Sequence, residues 1–297
     1  MKLGMQRAGD AARLLFSDWD IGVFGEDLDE RGQAARDFAT KHCERVVECG
    51  YNPDTFALSL DGKKYQADEV VEAFTELGAG KILLEATTLG FAEIYLACRA
   101  LRSRSPAGIS LLYVEPLEYA AARDQLLHRR DFELSEEVPG YLPVPGATIL
   151  LEDRRSQRGV FFLGYEERRL DRAMEDHPIT PSRTAVVFGV PAFQPGWEMD
   201  AFANNARVLH GRHISGGVHF CGAQNPLAAY DVLVQVSKER EKGEEMFVAP
   251  IGTKPHGIGA ALFVAENPGV GILYDHPKRK RKRTSKVSSW HLFDVTF

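Results

Sequence analysis

Cysteines and long apolar runs are scarce in this sequence. Cysteine occurs four times in 297 residues, at positions 43, 49, 98 and 221, which is too few and too scattered for a disulfide framework. No stretch approaches the roughly 18 apolar residues of a membrane-spanning helix, and the first residues lack the apolar segment of a signal peptide. We therefore expect free thiols, a reducing cytoplasmic location and no membrane partner.

The common linear signatures of catalysis are also missing. The sequence contains no GxxxxGK[ST], GxGxxG, GxSxG or HExxH motif and no CxxC pair. His210, His213 and His219 lie close together, but no cysteine or carboxylate stands at zinc spacing from them, so no metal site is predicted there. These absences argue against a P-loop NTPase and leave open whether the chain is an enzyme.

The sequence does have a regular alternation of short apolar runs and amphipathic stretches, which predicts an α/β fold. At roughly 100–200 residues per domain, its length favours two domains. We place a first Rossmann-like domain at 1–138, a proline-rich connector at 139–158 and a second Rossmann-like domain at 159–297. Both sheets are expected to be mostly parallel, with antiparallel edge strands.

Three local predictions follow from the same alternation. The stretch "ATILLE" (147–152) is predicted to be a strand. Residues 30–48 are predicted to form one helix that includes Cys43. The segment "HLFDVTF" (291–297) is predicted to be an antiparallel strand at an edge of the second domain's sheet.

The two halves of the chain resemble each other. "KILLEATTLGFAEIYLACRAL" (81–101) is matched by "EMFVAPIGTKPHGIGAALFVA" (245–265), and each is followed by a strand that ends in tyrosine. The earlier stretch "IGVFGEDLDERGQAARDFA" matches both "VVFGVPAFQPGWEMDAFAN" and "FFLGYEERRLDRAMED". We therefore predict an internal duplication, with both alignments of the earlier stretch open.

The turn "IGTKPHGIGAALF" (251–263) is the main candidate for a binding site. Gly252, Thr253, Lys254 and His256 follow an apolar strand and open a helix, and the N-terminus of a helix attracts anions. The carboxyl ends of strands in an open α/β sheet are where ligands bind. In the alternative interpretation Thr253 only caps the helix and the proline only starts it.

Other residues are candidates by their position in similar turns. Thr87 and Thr88 occupy the matching turn of the first half, and Arg31 and Arg168 each follow a strand, a glycine and acidic residues. We expect these four side chains to contact the phosphate of a ligand.

Acidic residues near strand ends offer the only candidates for catalysis. Glu26 and Asp27 follow the first strand, and Glu85 ends another. They could act as a general base or hold Mg²⁺, the one cofactor considered. An acidic run of this kind also suits the N-terminus of a helix without any chemistry.

A basic run stands out in a chain whose net charge is −6. Its six residues are Lys278, Arg279, Lys280, Arg281, Lys282 and Arg283. Contact with nucleic acid or with another polyanion and a solvated loop are the two interpretations.

The turn carrying Gly252, Thr253 and Lys254 resembles the glycine-threonine-lysine motif of CARF-type Rossmann-like domains. This resemblance implies a nucleotide sensor of a prokaryotic defence or signalling system, which binds its ligand between two pseudo-equivalent halves. The matching turn of the first half, "ATTLG", lacks the lysine. Two alternatives remain: a phosphodiesterase or nuclease on the same scaffold, and a scaffold subunit that binds a protein partner in a defence complex.

Overall fold

The chain forms two compact α/β units. A computed structural model describes residues 1–104, 106–119, 134–137, 139–152 and 156–297. Unit 1 consists of Met1–Ala120 together with Arg279–Phe297, and unit 2 is Ala121–Lys278. The predicted α/β class is confirmed. In the described part of the chain, no helix is long and apolar enough to cross a membrane.

Unit 1 contains a mixed eight-stranded sheet. Its strands, labelled in chain order, are β1 (Lys2–Ala8), β2 (Trp19–Phe24), β3 (Cys43–Asn52), β4 (Ala57–Leu60), β5 (Lys63–Tyr65), β6 (Lys81–Glu85), β7 (Gly108–Tyr119) and β15 (Thr284–Thr296). Its helices are α1 (Glu30–His42), α2 (Val70–Glu76) and α3 (Phe91–Arg104). The order across the sheet is β1-β15-β7-β6-β2-β3-β4-β5.

The centre of this sheet is parallel and its edges are antiparallel. Strands β3, β2, β6 and β7 run in one direction, whereas β4 and β5 on one side and β15 and β1 on the other are antiparallel to their neighbours. Trp19, Phe38, Leu83, Leu112 and Leu292 form part of its core. Strand β2 pairs with β3 on one side and with β6 on the other, so the strand order reverses direction between β2 and β6.

The segment 291–297 forms an antiparallel strand, but its predicted edge position is wrong. Strand β15 pairs with β7 on one side and with β1 on the other, inside the sheet of unit 1. Leu292 and Phe293 are buried, as expected for an internal strand with both faces covered. The unit boundaries therefore differ from the predicted domains, because 279–297 packs with the first unit.

The predicted helix over 30–48 is too long. Helix α1 ends at His42, and β3 begins at Cys43, so Cys43 and Cys49 both lie on a strand. The β-branched Val46 and Val47 favour this strand, and Val47 is fully buried. No glycine or proline separates the helix from the strand, so the sequence does not mark where the helical spacing of apolar residues gives way to that of a strand.

Unit 2 contains a five-stranded sheet in which every strand pairing is parallel. The remaining strands of the chain are β8 (Ser135–Glu137), β9 (Gln157–Phe162), β10 (Thr184–Gly189), β11 (Val218–Cys221), β12 (Glu245–Pro250), β13 (Val270–Ile272) and the short β14 (Lys278–Arg279). The helices are α4 (Glu167–Asp176), α5 (Trp197–Gly211), α6 (Pro226–Lys238) and α7 (Lys254–Glu266). The sheet order is β11-β10-β9-β12-β13.

This order is that of a doubly wound α/β sheet. Counted from β9, the strands lie in the order 3-2-1-4-5, and the order reverses between β9 and β12. The order β10-β9-β12-β13 repeats the order β3-β2-β6-β7 of unit 1. It favours the alignment of the β2–α1 stretch with β9–α4, but doubly wound sheets share this order in general, so the duplication stays a prediction.

The predicted strand at 147–152 is wrong. This stretch lies outside every strand. The Ala147 carbonyl accepts one hydrogen bond from the Ile272 amide at 2.7 Å. Ile149 packs against Gly271, where an added methyl group would lie 2.4 Å from the Ile149 Cβ. The apolar pattern therefore reflects packing onto the sheet, without pairing in it.

Candidate ligand-binding edges of the two sheets

The turn from β12 to α7 lies where the strand order of unit 2 reverses. Thr253 caps α7, and its hydroxyl oxygen accepts a hydrogen bond from the His256 amide at 3.4 Å. The same hydroxyl donates to the Ala223 carbonyl at 2.7 Å. A hydroxyl has one proton, and phosphate oxygens usually accept. Thr253 therefore cannot donate to a phosphate while this bond stands, and a ligand has to rely on backbone amides and on Lys254.

Glycines bring the two turns of this edge into direct contact. A methyl group at Gly252 would lie 3.1 Å from the Leu163 carbonyl oxygen, and one at Gly164 would lie 3.2 Å from the Ile251 carbonyl oxygen. The two glycines therefore allow the turn after β9 and the turn after β12 to pack against each other. This close packing gives Gly252 a structural role in addition to the predicted approach to a ligand.

A buried ion pair supports the same turns. Arg169 on α4 forms a two-pronged contact with Asp275, at 2.6 Å from Nε to Oδ2 and 2.5 Å from Nη2 to Oδ1. Its Nη1 donates to the Ile251 carbonyl at 3.1 Å. The preceding residue, Arg168, is the predicted phosphate contact and is exposed on α4. Arg169 and Asp275 were not predicted as site residues, although the acid before "HP" in "YDHP" belongs to the repeat.

Two asparagines of α5 hold the turn after β9. The Asn205 side chain donates to the Gly164 carbonyl at 2.8 Å, and the Asn204 side chain donates to the Tyr165 carbonyl at 3.0 Å. Both are almost completely buried. The pair "NN" inside an otherwise apolar helical stretch is the signal that could have indicated them.

His256 is buried beneath the turn. Its Nε2 lies 3.1 Å from the Gly222 carbonyl oxygen and 3.3 Å from the Cys221 sulfur. A carbonyl only accepts, so we assign the proton to Nε2. Nδ1 is then a buried acceptor, and it has no hydrogen-bond partner among the described residues.

Burial keeps both His256 and Cys221 neutral. It lowers the pKa of His256 to about 4, against the opposing effect of the contacts with Gly222 and Cys221. Burial also raises the pKa of the Cys221 thiol to about 12. A neutral thiol beside a neutral imidazole is a poor nucleophile pair, because the thiolate is the reactive form. Their arrangement is therefore structural.

At the edge of unit 1, Glu85 organises the turn after β6. Its two carboxylate oxygens accept hydrogen bonds from the Thr87 amide at 2.7 Å and the Thr88 amide at 2.9 Å, and the Thr88 hydroxyl donates to the second oxygen. The Thr88 hydroxyl accepts from the Gly25 amide at 2.8 Å. The Thr87 hydroxyl accepts from the Val114 amide at 3.0 Å. These contacts tie together the turns after β2 and β6.

The other two acidic candidates form ion pairs with arginines. Glu26 pairs with Arg281, and Asp27 pairs with Arg36 at 3.2 Å. Glu85, the third candidate, is fully buried, and burial raises its pKa against the hydrogen bonds from Thr87 and Thr88. Across the described residues, no three histidine, cysteine, aspartate or glutamate side chains form a group that could hold a metal ion.

The basic run folds onto this edge of unit 1. The Arg279 guanidinium donates to the Thr87 carbonyl at 3.2 Å and to the Thr88 carbonyl. The Lys282 amide donates to the Leu28 carbonyl at 3.0 Å. Lys278, Lys280 and Lys282 are exposed, whereas Arg279 and Arg283 are partly buried. Arg281 is exposed as well, so only two of the six basic residues are partly covered by the protein.

Arg31 is also part of this edge. It is buried, and its guanidinium donates to the Thr284 hydroxyl at 2.9 Å, to the Val114 carbonyl at 3.0 Å and to Asp29 at 2.8 Å. Burial raises the pKa of Asp29, but the charge of Arg31 and hydrogen bonds outweigh it and hold this pKa below its usual value. The structure thus brings together Arg31, Thr87, Thr88 and the basic run. Their contact with a ligand stays a prediction.

Comparison with models of known protein families gives no match to the chain, and comparison with curated proteins gives no similar sequence. The function therefore has to be inferred from the geometry of these two edges.

Proposed function

We propose that unit 2 binds a phosphate-bearing nucleotide at the turn from β12 to α7. One observation carries the proposal: the strand order reverses between β9 and β12, and the sequence "IGTKP" follows β12 at that point. Open α/β sheets bind their ligands beyond the carboxyl ends of the strands at such a reversal.

The chemistry of the turn suits an anion. Helix α7 has 13 residues, and the positive end of its dipole lies at Lys254. The charge of Lys254 has the same sign as this end of the dipole, and both attract an anion. A phosphate bound here would interact favourably with the backbone amides of the turn and with the ammonium group.

The resemblance to CARF-type domains extends the proposal to a biological role. We assign the protein as a nucleotide or oligonucleotide sensor of a prokaryotic defence or signalling system, which passes the signal to a protein partner. The alternative of a phosphodiesterase or nuclease is less favoured. Glu26 and Asp27 are engaged in ion pairs, and Glu85 is buried in the turn that it stabilises.

A thermal-shift screen with mononucleotides, dinucleotides and cyclic oligonucleotides tests the proposal. A ligand at 100 times its Kd should stabilise unit 2 by about 2.7 kcal/mol. Lys254→Ala should lose about 1.5–3 kcal/mol of binding free energy, the value of a charge-assisted hydrogen bond. Without ligand, the melting temperature of the same variant gives the contribution of Lys254 to the stability of unit 2 separately from its contribution to binding.

Lys242→Ala is the matched control. Lys242 is exposed and precedes β12, so the same charge is removed at the opposite end of the same strand. The control should bind the ligand as the wild type does. If Lys254→Ala binds normally, or if both variants lose the same affinity, the turn does not hold the phosphate. Thr253→Ala should cost about 1 kcal/mol of stability as a lost cap, whichever result is obtained.

A further inference from the structure

Strand β11 is an open edge of the sheet of unit 2. Among the strands that the structure describes, its one neighbour is β10, with which it pairs in parallel. The Gly217 and Cys221 carbonyls accept hydrogen bonds from amides of β10 and of the residue that follows it. Because successive carbonyls of a strand point to opposite sides, the amides and carbonyls of Val218 and Phe220 point away from the sheet.

The same two residues expose apolar side chains. Val218 is 54% exposed and Phe220 is 56% exposed, and both lie on one face of the strand because side chains alternate. The Phe220 ring packs on Phe202 and Phe188, with ring centroids 6.0 Å and 6.5 Å apart. Met199, which is exposed one turn before Phe202 on α5, extends the apolar surface. The Phe220 ring is therefore held in place before a partner arrives, and little side-chain entropy is lost on binding.

The other edges of the two large sheets are protected against pairing with further strands. In unit 1, the edge strand β5 contains two lysines, and the edge strand β1 contains a lysine and an arginine. In unit 2, the outer side of β13 is occupied, because the Ile272 amide donates to the Ala147 carbonyl. Charged residues and covering segments are the usual means of blocking an edge. Strand β11, "VHFC", has neither an acidic or basic residue nor a covering segment from the described part of the chain.

The sequence around β11 indicates what kind of partner fits. Residues 213–230 contain no aspartate, glutamate, lysine or arginine, in a chain whose net charge is −6. A charged peptide would give up hydration at this edge and find no counter-charge in that segment. A second copy of the chain presents the same uncharged segment, so the net charges of the two copies stay away from the contact.

We infer that β11 pairs in antiparallel orientation with β11 of a second copy of this chain, around a two-fold axis at His219. In this register, Val218 of each copy lies opposite Phe220 of the other, and their outward amides and carbonyls satisfy one another. The apolar side chains of these residues pack across the two strands. One patch serves both copies, as in most soluble dimers. The pairing joins the two five-stranded sheets into one continuous sheet.

Sedimentation velocity of the full chain at several concentrations tests the inference. The wild type should show an equilibrium of monomer and dimer. Phe220→Lys should raise the dissociation constant of the dimer by about tenfold or more, because it removes an aromatic anchor and puts like charges on both sides of the axis. Met5→Lys is the matched control, because Met5 is an exposed apolar residue of β1, the edge strand of the other sheet. This control should dimerise as the wild type does. No nucleotide is added, so the result is separate from that for the nucleotide site.

Two cysteine variants test the register. Facing residues of a non-hydrogen-bonded antiparallel pair have Cα atoms about 4.5 Å apart, which a disulfide can bridge. His219→Cys should therefore give a disulfide-linked dimer under mild oxidation. In the same register the Val218 Cα atoms of the two copies lie about 8 Å apart, which is too far for a disulfide. Val218→Cys should therefore form no more linked dimer than the wild type, whose own four cysteines set the background.

A wild type that stays monomeric at the highest concentration, or a dimer that Phe220→Lys leaves intact, would overturn the inference. Equal cross-linking of the two cysteine variants, or none in His219→Cys, would also overturn it. If Phe220→Lys melts at a lower temperature than the wild type, the cysteine variants decide, because neither of them places a charge at the edge.

Discussion

Acidification should destabilise unit 2 through one residue, His256. Burial lowers the pKa of this imidazole to about 4 in the folded chain, whereas an unfolded histidine titrates near 6.5. Between these two values the unfolded chain takes up a proton that the folded chain does not. The stability that His256 contributes is therefore fully present above about pH 6.5 and is lost as the pH falls towards 4.

The magnitude follows from the two pKa values. The difference of about 2.5 units corresponds to about 3 kcal/mol, at 1.36 kcal/mol per unit. The structural cause is the position of the ring. Nε2 contacts the Gly222 carbonyl and the Cys221 sulfur. If Nδ1 took up a second proton, the new N–H group would have no acceptor among the described residues.

Urea denaturation at several pH values measures the effect. The three tryptophans can be labelled with 5-fluorotryptophan, and the ¹⁹F signal of Trp197 then reports on unit 2 separately from Trp19 and Trp290. The wild type should lose about 3 kcal/mol more stability between pH 7 and pH 4 than His256→Gln does. His210→Gln, at an exposed position, should follow the wild type. Identical pH dependence of the wild type and His256→Gln would refute the reasoning.

Two further predictions concern the core of unit 2. Asp275→Asn should lower the free energy of unfolding in urea by about 3–5 kcal/mol, because it leaves Arg169 buried without its counter-charge. Arg169→Met combined with Asp275→Leu should recover most of that loss. A double variant as unstable as Asp275→Asn would contradict the ion-pair explanation. Gly159→Ala should cost about 1–3 kcal/mol, because the new methyl group would lie 2.5 Å from Cζ of the buried Phe247. Gly269→Ala, where the methyl group meets nothing within 4 Å, is the control and should melt within a degree or two of the wild type.

The parallel core of each unit could be predicted because its strands are buried on both faces. "TAVVFG" and "EMFVAP" coincide with β10 and β12, and such strands appear as continuous apolar runs bounded by turn residues. Exposed strands gave no comparable signal. Strand β1, "KLGMQRA", is an edge strand with charged residues and a glycine, and β3 follows α1 without a break.

The turn from β12 to α7 could be predicted because its residues are contiguous. The contacts that support the two edges could not, since their partners are distant in the chain. Arg169 and Asp275 are 106 positions apart, and Arg31 and Thr284 are 253 positions apart. Such long-range contacts decide which arginine side chains are buried, and the local spacing of apolar residues carries no information about these contacts. The same limit hid the difference between Arg281 and Arg283 within one basic run.

The position of β15 between β7 and β1 affects the order in which the two units can fold during synthesis on the ribosome. Unit 2 lies in the sequence between the two segments of unit 1. Every strand of the five-stranded sheet of unit 2 is therefore synthesised before residues 279–297. The pairing of Lys2 with Thr296 joins segments from opposite ends of the sequence. Until β15 emerges, β1 has no partner in the sheet, and the flank of β7 is an open edge for pairing with other chains. Unit 2 can therefore fold during translation, whereas unit 1 is completed only after it.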